Sequence, residues 1–474
     1  MKMYIAGEWI DKAEKIKVID PFDNSEVDTV PRASEEDMLD AVASAGRGFE
    51  TMRKLPVHKR SEILYKTAKY VEERHEEFAR TIAREASKTI REARGEVSRT
   101  INTLTYSAEE AKRINGETIP FDSFPNGVNK RGYYYRFPIG IILAITPFND
   151  PLNLVAHKLG PAFAGGNAVI LKPASVTPLS GIMLGRALLE SGLPPEALQI
   201  VTGSGKMTGE VLVPHEDIRM ISFTGGVEAG KEVAANAGIK KIGMELGSNS
   251  PTIVWKDADI DQAVSSCVEG SFWAAGQNCI GVQRLYIHEE IYGEFREKFV
   301  ERTKAYKIGN KLDENTDMGP LISEKEAERV ENAVKDAINK GAKCLTGGSR
   351  KGALMEPTVM ENVPEDTIQH CEEAFGPVAN LYQINDLDET IKKANSLPYG
   401  LHAAIFTNDV NLAFKAAYEL DCGGVMINDS TDYRLDSMPF GGVKNSGIGR
   451  EGIAFALQEM TEPKVVCFTL PNIE

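Results

Sequence analysis

No Cys-x-x-Cys pair occurs in this chain, and none of its six cysteines (267, 279, 344, 371, 422 and 467) has a histidine at metal-ligand spacing. That leaves no expectation of a metal site or a disulfide framework, and it fits free thiols in a reducing cytoplasm. Positive charge is also short: 54 Lys and Arg face 69 Asp and Glu, for a formal net charge of −15. Nucleic acids and anionic membrane faces both reward a basic excess, so neither is an expected partner. The longest apolar-looking stretch, residues 137–148, contains two prolines and is too short to span a bilayer. The N-terminal residues MKMYIAGE place charge and glycine where a secretory signal needs an unbroken apolar run. A cytoplasmic protein without a membrane segment is the expectation.

At 474 residues, the chain exceeds what one hydrophobic core ordinarily supports, so two or more domains are expected. Apolar residues at helical spacing across 57–114 predict two or three amphipathic helices of scaffold. Short β-rich runs then recur at 141–145, 168–171, 198–201, 220–223 and 241–244, with helical patterns between them at 179–190 and 228–237. This alternation predicts βαβ units in a doubly wound parallel sheet, whose ligands gather beyond the carboxyl ends of the strands. A second α/β pattern at 252–255, 285–288, 378–384, 403–407 and 424–428 predicts a second domain over about 246–441. The aromatic stretch 132–137 reads as a hairpin or arm. The tail, 464–470, reads as a strand with nothing after it to pair with, so pairing with another subunit is expected.

Single motifs remain ambiguous. Gly203 to Gly209 reads G-x-G-x-x-x-G, one residue longer than the dinucleotide fingerprint, and Gly205 and Gly209 fit a phosphate turn or an ordinary strand-to-helix turn equally well. Gly225-Gly226 opens a segment resembling a P-loop, but Glu232 stands where a Ser or Thr should hold magnesium, which argues against a P-loop hydrolase; the amides could still receive a pyrophosphate. Glu245 ends an apolar strand and is either an exposed turn carboxylate or a general base raised by burial. Asn149 is turn chemistry or an oxyanion donor. Lys172 is a solvated lysine or a ribose and phosphate ligand. Cys279 is a packed small hydrophobe or a nucleophile.

The order of these segments is more specific than any one of them. Ile145-Thr146-Pro147-Phe148-Asn149, Leu171-Lys172-Pro173-Ala174-Ser175, Phe223-Thr224-Gly225-Gly226, Met244-Glu245-Leu246-Gly247, Gly276-Gln277-Asn278-Cys279, Glu373-Ala374-Phe375-Gly376-Pro377 and the segment 439–447 together resemble the aldehyde dehydrogenase superfamily, over nearly the whole chain.

The resemblance implies an α/β fold of two doubly wound domains plus a small β oligomerisation element. Residues 1–112 and 137–245, with part of 443–458, would form the cofactor domain, 246–442 the catalytic domain, and 113–136 with 459–474 the arm of a homodimer or homotetramer. It implies Cys279 as nucleophile, Asn149 as oxyanion donor and Glu245 as the base that hydrolyses a thioester. Members that pass the acyl group to coenzyme A typically lack this acid, so a free carboxylic acid is the implied product. NAD or NADP would be held by Ile145, Thr146, Pro147, Phe148, Lys172, Ser175, Gly205, Gly209, Thr224, Gly225, Gly226, Leu246, Glu373 and Phe375. Ser175 stands where strictly NAD-dependent members often carry glutamate, which leaves room for a 2′-phosphate. Gly226 replaces a serine that commonly donates to the pyrophosphate.

The implied substrate tunnel is polar: Asp150, Asn153, His157, Asn278 and Arg434 stand at positions that are often aromatic or otherwise apolar in the superfamily. A short hydroxylated or anionic aldehyde is the implied substrate, with lactaldehyde, glycolaldehyde and phosphono-, sulfo- or carboxy-aldehydes as examples. Arg434 is either a clamp for the anion or a surface arginine paired with Asp432 or Asp436. Two other function classes stay open: a catalytically silent dinucleotide-binding protein, and a cofactor-independent thioesterase or esterase.

Overall fold

The computed structural model describes residues 1–471. Apolar runs with β-branched residues build two sheets. In the first, five parallel strands stand in the spatial order Leu198–Ile200, Ala168–Lys172, Ile141–Ile145, Ile218–Thr224, Lys241–Glu245. All five predicted runs are present; Leu198–Ile200 and Ala168–Lys172 are buried throughout, and such strands read as continuous apolar stretches. The sequence does not announce the edges. The N-terminal hairpin of Met3–Ile5 and Glu8–Ile10 pairs antiparallel onto one side, and Gly447–Ile448 onto the other. Chain order reverses between Ile141–Ile145 and Ile218–Thr224, so the loops leaving these two strands border a crevice.

The second sheet runs Lys343–Thr346, Thr358–Glu361, Val378–Ile384, Val282–His288, Ser250–Val254, His402–Phe406, Gly424–Ile427. It is parallel except for the antiparallel Lys343–Thr346 edge. The strands Lys343–Thr346 and Thr358–Glu361 have no counterpart in the sequence pattern.

The predicted scaffold is three helices, Val57–Glu73, His75–Glu85 and Ile90–Ala111. The last starts in a capping box: Thr89 accepts from the backbone of Glu92, whose side chain accepts from the backbone of Thr89.

The tail departs from expectation. Strand Thr461–Thr469 pairs along its whole length with Lys130–Pro138, from Thr461 opposite Pro138 to Thr469 opposite Lys130, and Glu117–Thr118 completes a three-stranded sheet. The tail thus has a partner within its own chain on one side, and in the order Thr461–Thr469, Lys130–Pro138, Glu117–Thr118 its other side remains an edge of that sheet. A terminal strand can take its partner only from earlier in the chain, and here that partner lies more than three hundred residues upstream. Residues 472–474 of the expected arm lie outside the described residues. Among the described residues, no helix is long and apolar enough to cross a membrane.

Candidate active site

Cys279 is delivered by an unusual turn. Helix Ile260–Phe272 ends at Trp273, and the next residues, Ala274, Ala275 and Gly276, have φ of 49°, 56° and 69°. Two consecutive left-handed alanines cost on the order of 1–2 kcal/mol each, so other contacts must hold them. Glu92 Oε1 accepts from the Ala274 amide at 2.8 Å. Gln277 Nε2 donates to the Ala274 carbonyl at 3.0 Å, and its Oε1 accepts from the Ile322 amide at 2.9 Å. Gly276 is required outright, since a Cβ there would stand 2.2 Å from the Gly376 carbonyl oxygen.

The turn leaves Cys279 half-buried on the wall of a cavity of about 980 Å³, which Asn149, Asp150, Asn278, Arg434 and Phe440 also line. Asn149 is placed there by the strand Ile141–Ile145, across the crevice from the cysteine turn. Burial raises the Cys279 thiol well above its ordinary range, the nearby carboxylates Glu373, Glu245 and Glu451 raise it further, and Arg434 opposes them. Cys279 is therefore a neutral thiol in the free protein.

The polar wall is a web of buried charges. Asp150 pairs with Lys88 and, at 3.3 Å, with Arg99; Lys88 also bonds Glu96 at 2.7 Å. Arg99 reaches Asp436 at 3.0 Å. Asn153 donates to Asp436 at 3.1 Å, and His157 lies 2.9 Å from the same oxygen. Burial works against the Asp436 carboxylate, but His157 and Arg99 hold it far below the usual range. Asn153 and His157 are thus turned onto Asp436 and do not line the cavity, which removes them from the expected tunnel wall. Their polarity satisfies a buried acid instead.

For Arg434, the structure excludes the surface alternative. It is neither on the surface nor paired with Asp432 or Asp436. Its side chain is 8% exposed, Nη2 donates to Glu451 Oε2 at 3.1 Å, and the guanidinium lies 3.7 Å from the Phe440 ring centroid. Asp436 is taken by Arg99, and Asp432 accepts from Asn278. Arg434 Nε has no hydrogen-bond partner among the described residues.

Glu245 is 3% exposed, and its Oε2 is buried without a partner among the described residues. It opens onto a smaller cavity shared with His157 and Glu451, not the one holding the sulfur. Gly441 admits it: a Cβ there would lie 2.9 Å from Glu245 Oε1. Burial raises its carboxyl well above the usual value, and the negative Glu451 adds to this. Burial opposes the Glu451 charge too, but Lys158, at 3.1 Å, and Arg434 hold Glu451 down at about 2. Two adjacent carboxyls are thereby split, Glu451 held ionised and Glu245 held well above the usual carboxylate range.

The remaining predicted residues gather along the crevice of the first sheet. Lys172 donates to Ser175 at 2.9 Å, Ser175 donates to the Gly203 carbonyl at 2.7 Å, and burial pulls the Lys172 amine down to about 8. Glu373 Oε1 accepts from the Ser248 amide at 2.9 Å. Phe375 meets Phe148 edge-on at 5.7 Å, so this part of the second domain touches the first at the loop Ile145, Thr146, Pro147, Phe148. Thr146 Oγ1 and Thr224 Oγ1 are buried without partners among the described residues. Helix Val227–Asn236 begins at Gly226 with no side-chain cap, after Gly225, whose Cβ would strike the Phe223 ring at 2.7 Å. Leu246 bonds the Ser446 carbonyl through its amide. Gly205 and Gly209 lie on helix Gly205–Val211 with nothing within 4 Å of an added Cβ, so no protein neighbour requires glycine there. Orphaned hydroxyls, free helix amides, a buried lysine and an acid at the far end fit a phosphate-bridged dinucleotide.

Sequence reasoning missed Lys88, Glu96, Arg99, Lys158, Asp432 and Glu451. Arg99 sits on a helix that reads as scaffold, and Glu451 is remote from Arg434 and Glu245 in any local pattern. A buried ion pair leaves no periodic trace.

Comparison with known proteins supplies the context. The Aldehyde dehydrogenase family model matches residues 9–466. The chain is 46% identical over 468 residues to 3-sulfolactaldehyde dehydrogenase of Priestia aryabhattai, covering 99% of this chain and 98% of the relative. It resembles the structure of aldehyde dehydrogenase 21 from Physcomitrella patens in complex with the reaction product succinate, with a TM-score of 0.96 and 42% identity over 99% of this chain and 98% of that one. It also resembles glyceraldehyde-3-phosphate dehydrogenase GapN from Methanocaldococcus jannaschii complexed with NADP, with a TM-score of 0.93 and 43% identity over 97% of this chain and all (100%) of that one.

Proposed function

The chain belongs to the aldehyde dehydrogenase family, and on that premise we propose that it oxidises a small anionic aldehyde to the free carboxylic acid, with NADP or NAD and through Cys279. The carrying observation is the cavity itself, which is lined together by a half-buried thiol, Asn149 and Arg434. Relatives named for sulfolactaldehyde and glyceraldehyde-3-phosphate, and one holding succinate, support an anionic substrate.

Lys172 and Ser175 would hold the adenosine ribose, Thr224, Gly225 and the amides after Gly226 the pyrophosphate, and Glu373 the nicotinamide ribose. Ser175 puts no carboxylate near a 2′-phosphate, which favours NADP, as does the NADP bound to the archaeal relative. The nicotinamide supplies the hydride acceptor. Cys279 Sγ loses its proton to solvent water and bonds the aldehyde carbon, and the carbonyl oxygen takes up negative charge. Asn149 Nδ2 and the Cys279 amide donate to that oxygen, so charge develops towards fixed donors. Departure of hydride leaves a thioester on Sγ. Glu245, turned from Glu451 towards the sulfur, takes a proton from water as its oxygen attacks the thioester carbon. The acid leaves and Sγ regains its proton.

The first sheet serves as the frame of the cofactor domain over 1–112 and 137–245 with part of 443–458, and the second sheet as that of the catalytic domain over 246–442. The arm of 113–136 and 459–474 joins copies into a cytoplasmic homo-oligomer; the paired strands Lys130–Pro138 and Thr461–Thr469 support that arm.

A panel of succinate semialdehyde, 3-sulfolactaldehyde, lactaldehyde and neutral aldehydes, run with both cofactors, should show reduced cofactor accumulating fastest with the anionic members. No turnover of any member would remove the proposal. Arg434→Ala should raise KM for an anionic aldehyde by about 10–100-fold, the loss of one charge-assisted contact. A neutral aldehyde of equal size should change far less, and equal changes would assign Arg434 to holding Glu451 alone.

A further inference from the structure

Asp432 is a carboxyl on the wall of the sulfur's cavity that the mechanism above leaves without a task. It reaches that wall because helix Ile260–Phe272 has a glycine beneath it: a Cβ on Gly270 would lie 3.2 Å from Asp432 Cβ. One oxygen, Oδ1, accepts from Asn278 Nδ2, on the residue immediately before Cys279. Asn278 Oδ1 in turn accepts from the Ile280 amide at 3.2 Å, so the side chain that fixes Asp432 is itself fixed across the nucleophile. Among the described residues nothing donates to Asp432 Oδ2, which is left to the cavity.

We infer that Asp432 is a specificity-determining residue, whose second carboxyl oxygen pairs with a hydroxyl on the carbon next to the aldehyde group of the substrate. This rests on the reading of the cavity as an aldehyde site. The aldehyde carbon bonds Sγ of Cys279, so the adjacent carbon is the first to meet the side chains flanking the sulfur, and Asp432 is tied to the nearest of them. A polar atom enclosed in a substrate cavity must be paired when water is displaced, and a substrate lacking the hydroxyl leaves it unpaired.

The charge balance of the cavity agrees. Burial pushes the Asp432 carboxyl up to about 8, against the pull of Arg99 and with the negative Glu269 and Glu92 adding to the rise. Near neutral pH it is protonated, so it can both donate to and accept from a hydroxyl without setting a negative charge beside an anionic substrate. Asp150, another acid on that wall, is taken up by Lys88 and Arg99.

The test compares 2-hydroxypropanal with propanal, which differ by that one hydroxyl, as a ratio of kcat/KM values. The intact enzyme should favour the hydroxylated aldehyde by on the order of 30-fold. Asp432→Ala should bring the ratio close to one, and Asp432→Asn, which keeps a polar atom at both positions, should retain most of it. Turnover of both aldehydes by the intact enzyme with a ratio near one overturns the inference while leaving aldehyde oxidation standing. So does an unchanged ratio in Asp432→Ala, or a ratio lost equally in Asp432→Asn. Oxidation of neither aldehyde, nor of any other in the panel, overturns the underlying reading and this inference with it.

Discussion

Cys279→Ser should lower aldehyde-dependent cofactor reduction by about 10⁴-fold or more, the scale of losing a covalent nucleophile. The size reflects what surrounds the atom. Burial and the carboxylates of Glu373, Glu245 and Glu451 already resist a negative charge at Sγ. A thiol tolerates that resistance because its proton is only moderately held, whereas a serine hydroxyl begins far higher and faces the same field. Cofactor binding should survive, because Lys172, Ser175 and Glu373 are untouched by the change; quenching of protein fluorescence by NADPH measures this separately. The measurement is steady-state absorbance of reduced cofactor at saturating aldehyde. Residual turnover within tenfold of the intact enzyme would mean that Cys279 is a packed thiol after all.

Glu245→Gln should behave differently. Hydride departure does not need this carboxyl, so mixing with NADP and aldehyde should release a burst of about one reduced cofactor per active site. Turnover should then stall by about 10²–10³-fold as the thioester waits for water, within the usual contribution of a general base. The acyl adduct adds the mass of the acid less water to the chain, which intact-protein mass spectrometry reads directly. The pH dependence gives a second check. Glu245 acts as base only when deprotonated, and its carboxyl is raised well above the ordinary range by burial and by Glu451. Deacylation in the intact enzyme should therefore be fast above that raised value and fall as pH drops through it, while Glu245→Gln should lose this limb. A normal steady state in the variant would assign Glu245 to the buried charge web alone.

Much of this protein is legible along the chain. The five parallel strands of the first sheet announce themselves as β-rich runs, most plainly where burial on both faces demands an uninterrupted one, as in Ala168–Lys172. Cys279, Asn149 and Glu245 stand at the ends of such runs or turns, where a doubly wound fold puts its chemistry. The edge strands Gly447–Ile448 and Lys343–Thr346 are not legible, because Gly447–Ile448 is two residues long and Lys343–Thr346 is exposed or half-buried along its length, so neither shows an apolar run. The tail is a subtler case: its strand character is plain in 464–470, but its partner Lys130–Pro138 is fixed by register in three dimensions.

The substrate wall shows the division most clearly. The sequence supplies polar residues where a tunnel is expected, and by itself it determines that the tunnel is not greasy. Which of them face the substrate is a matter of pairing, and pairing among buried charges is decided only when helices and loops remote in sequence meet. Asn153 and His157 are consumed by Asp436, and Arg434 is half-consumed by Glu451. Asp432 keeps one oxygen free of any donor among the described residues. The amino-acid sequence determined the fold class, since it arises from local pattern and order, and the order of the motifs pointed to Cys279 through the family resemblance. The tertiary structure alone decided which polar atoms are left unpaired for a ligand, since an unpaired atom is defined by everything around it.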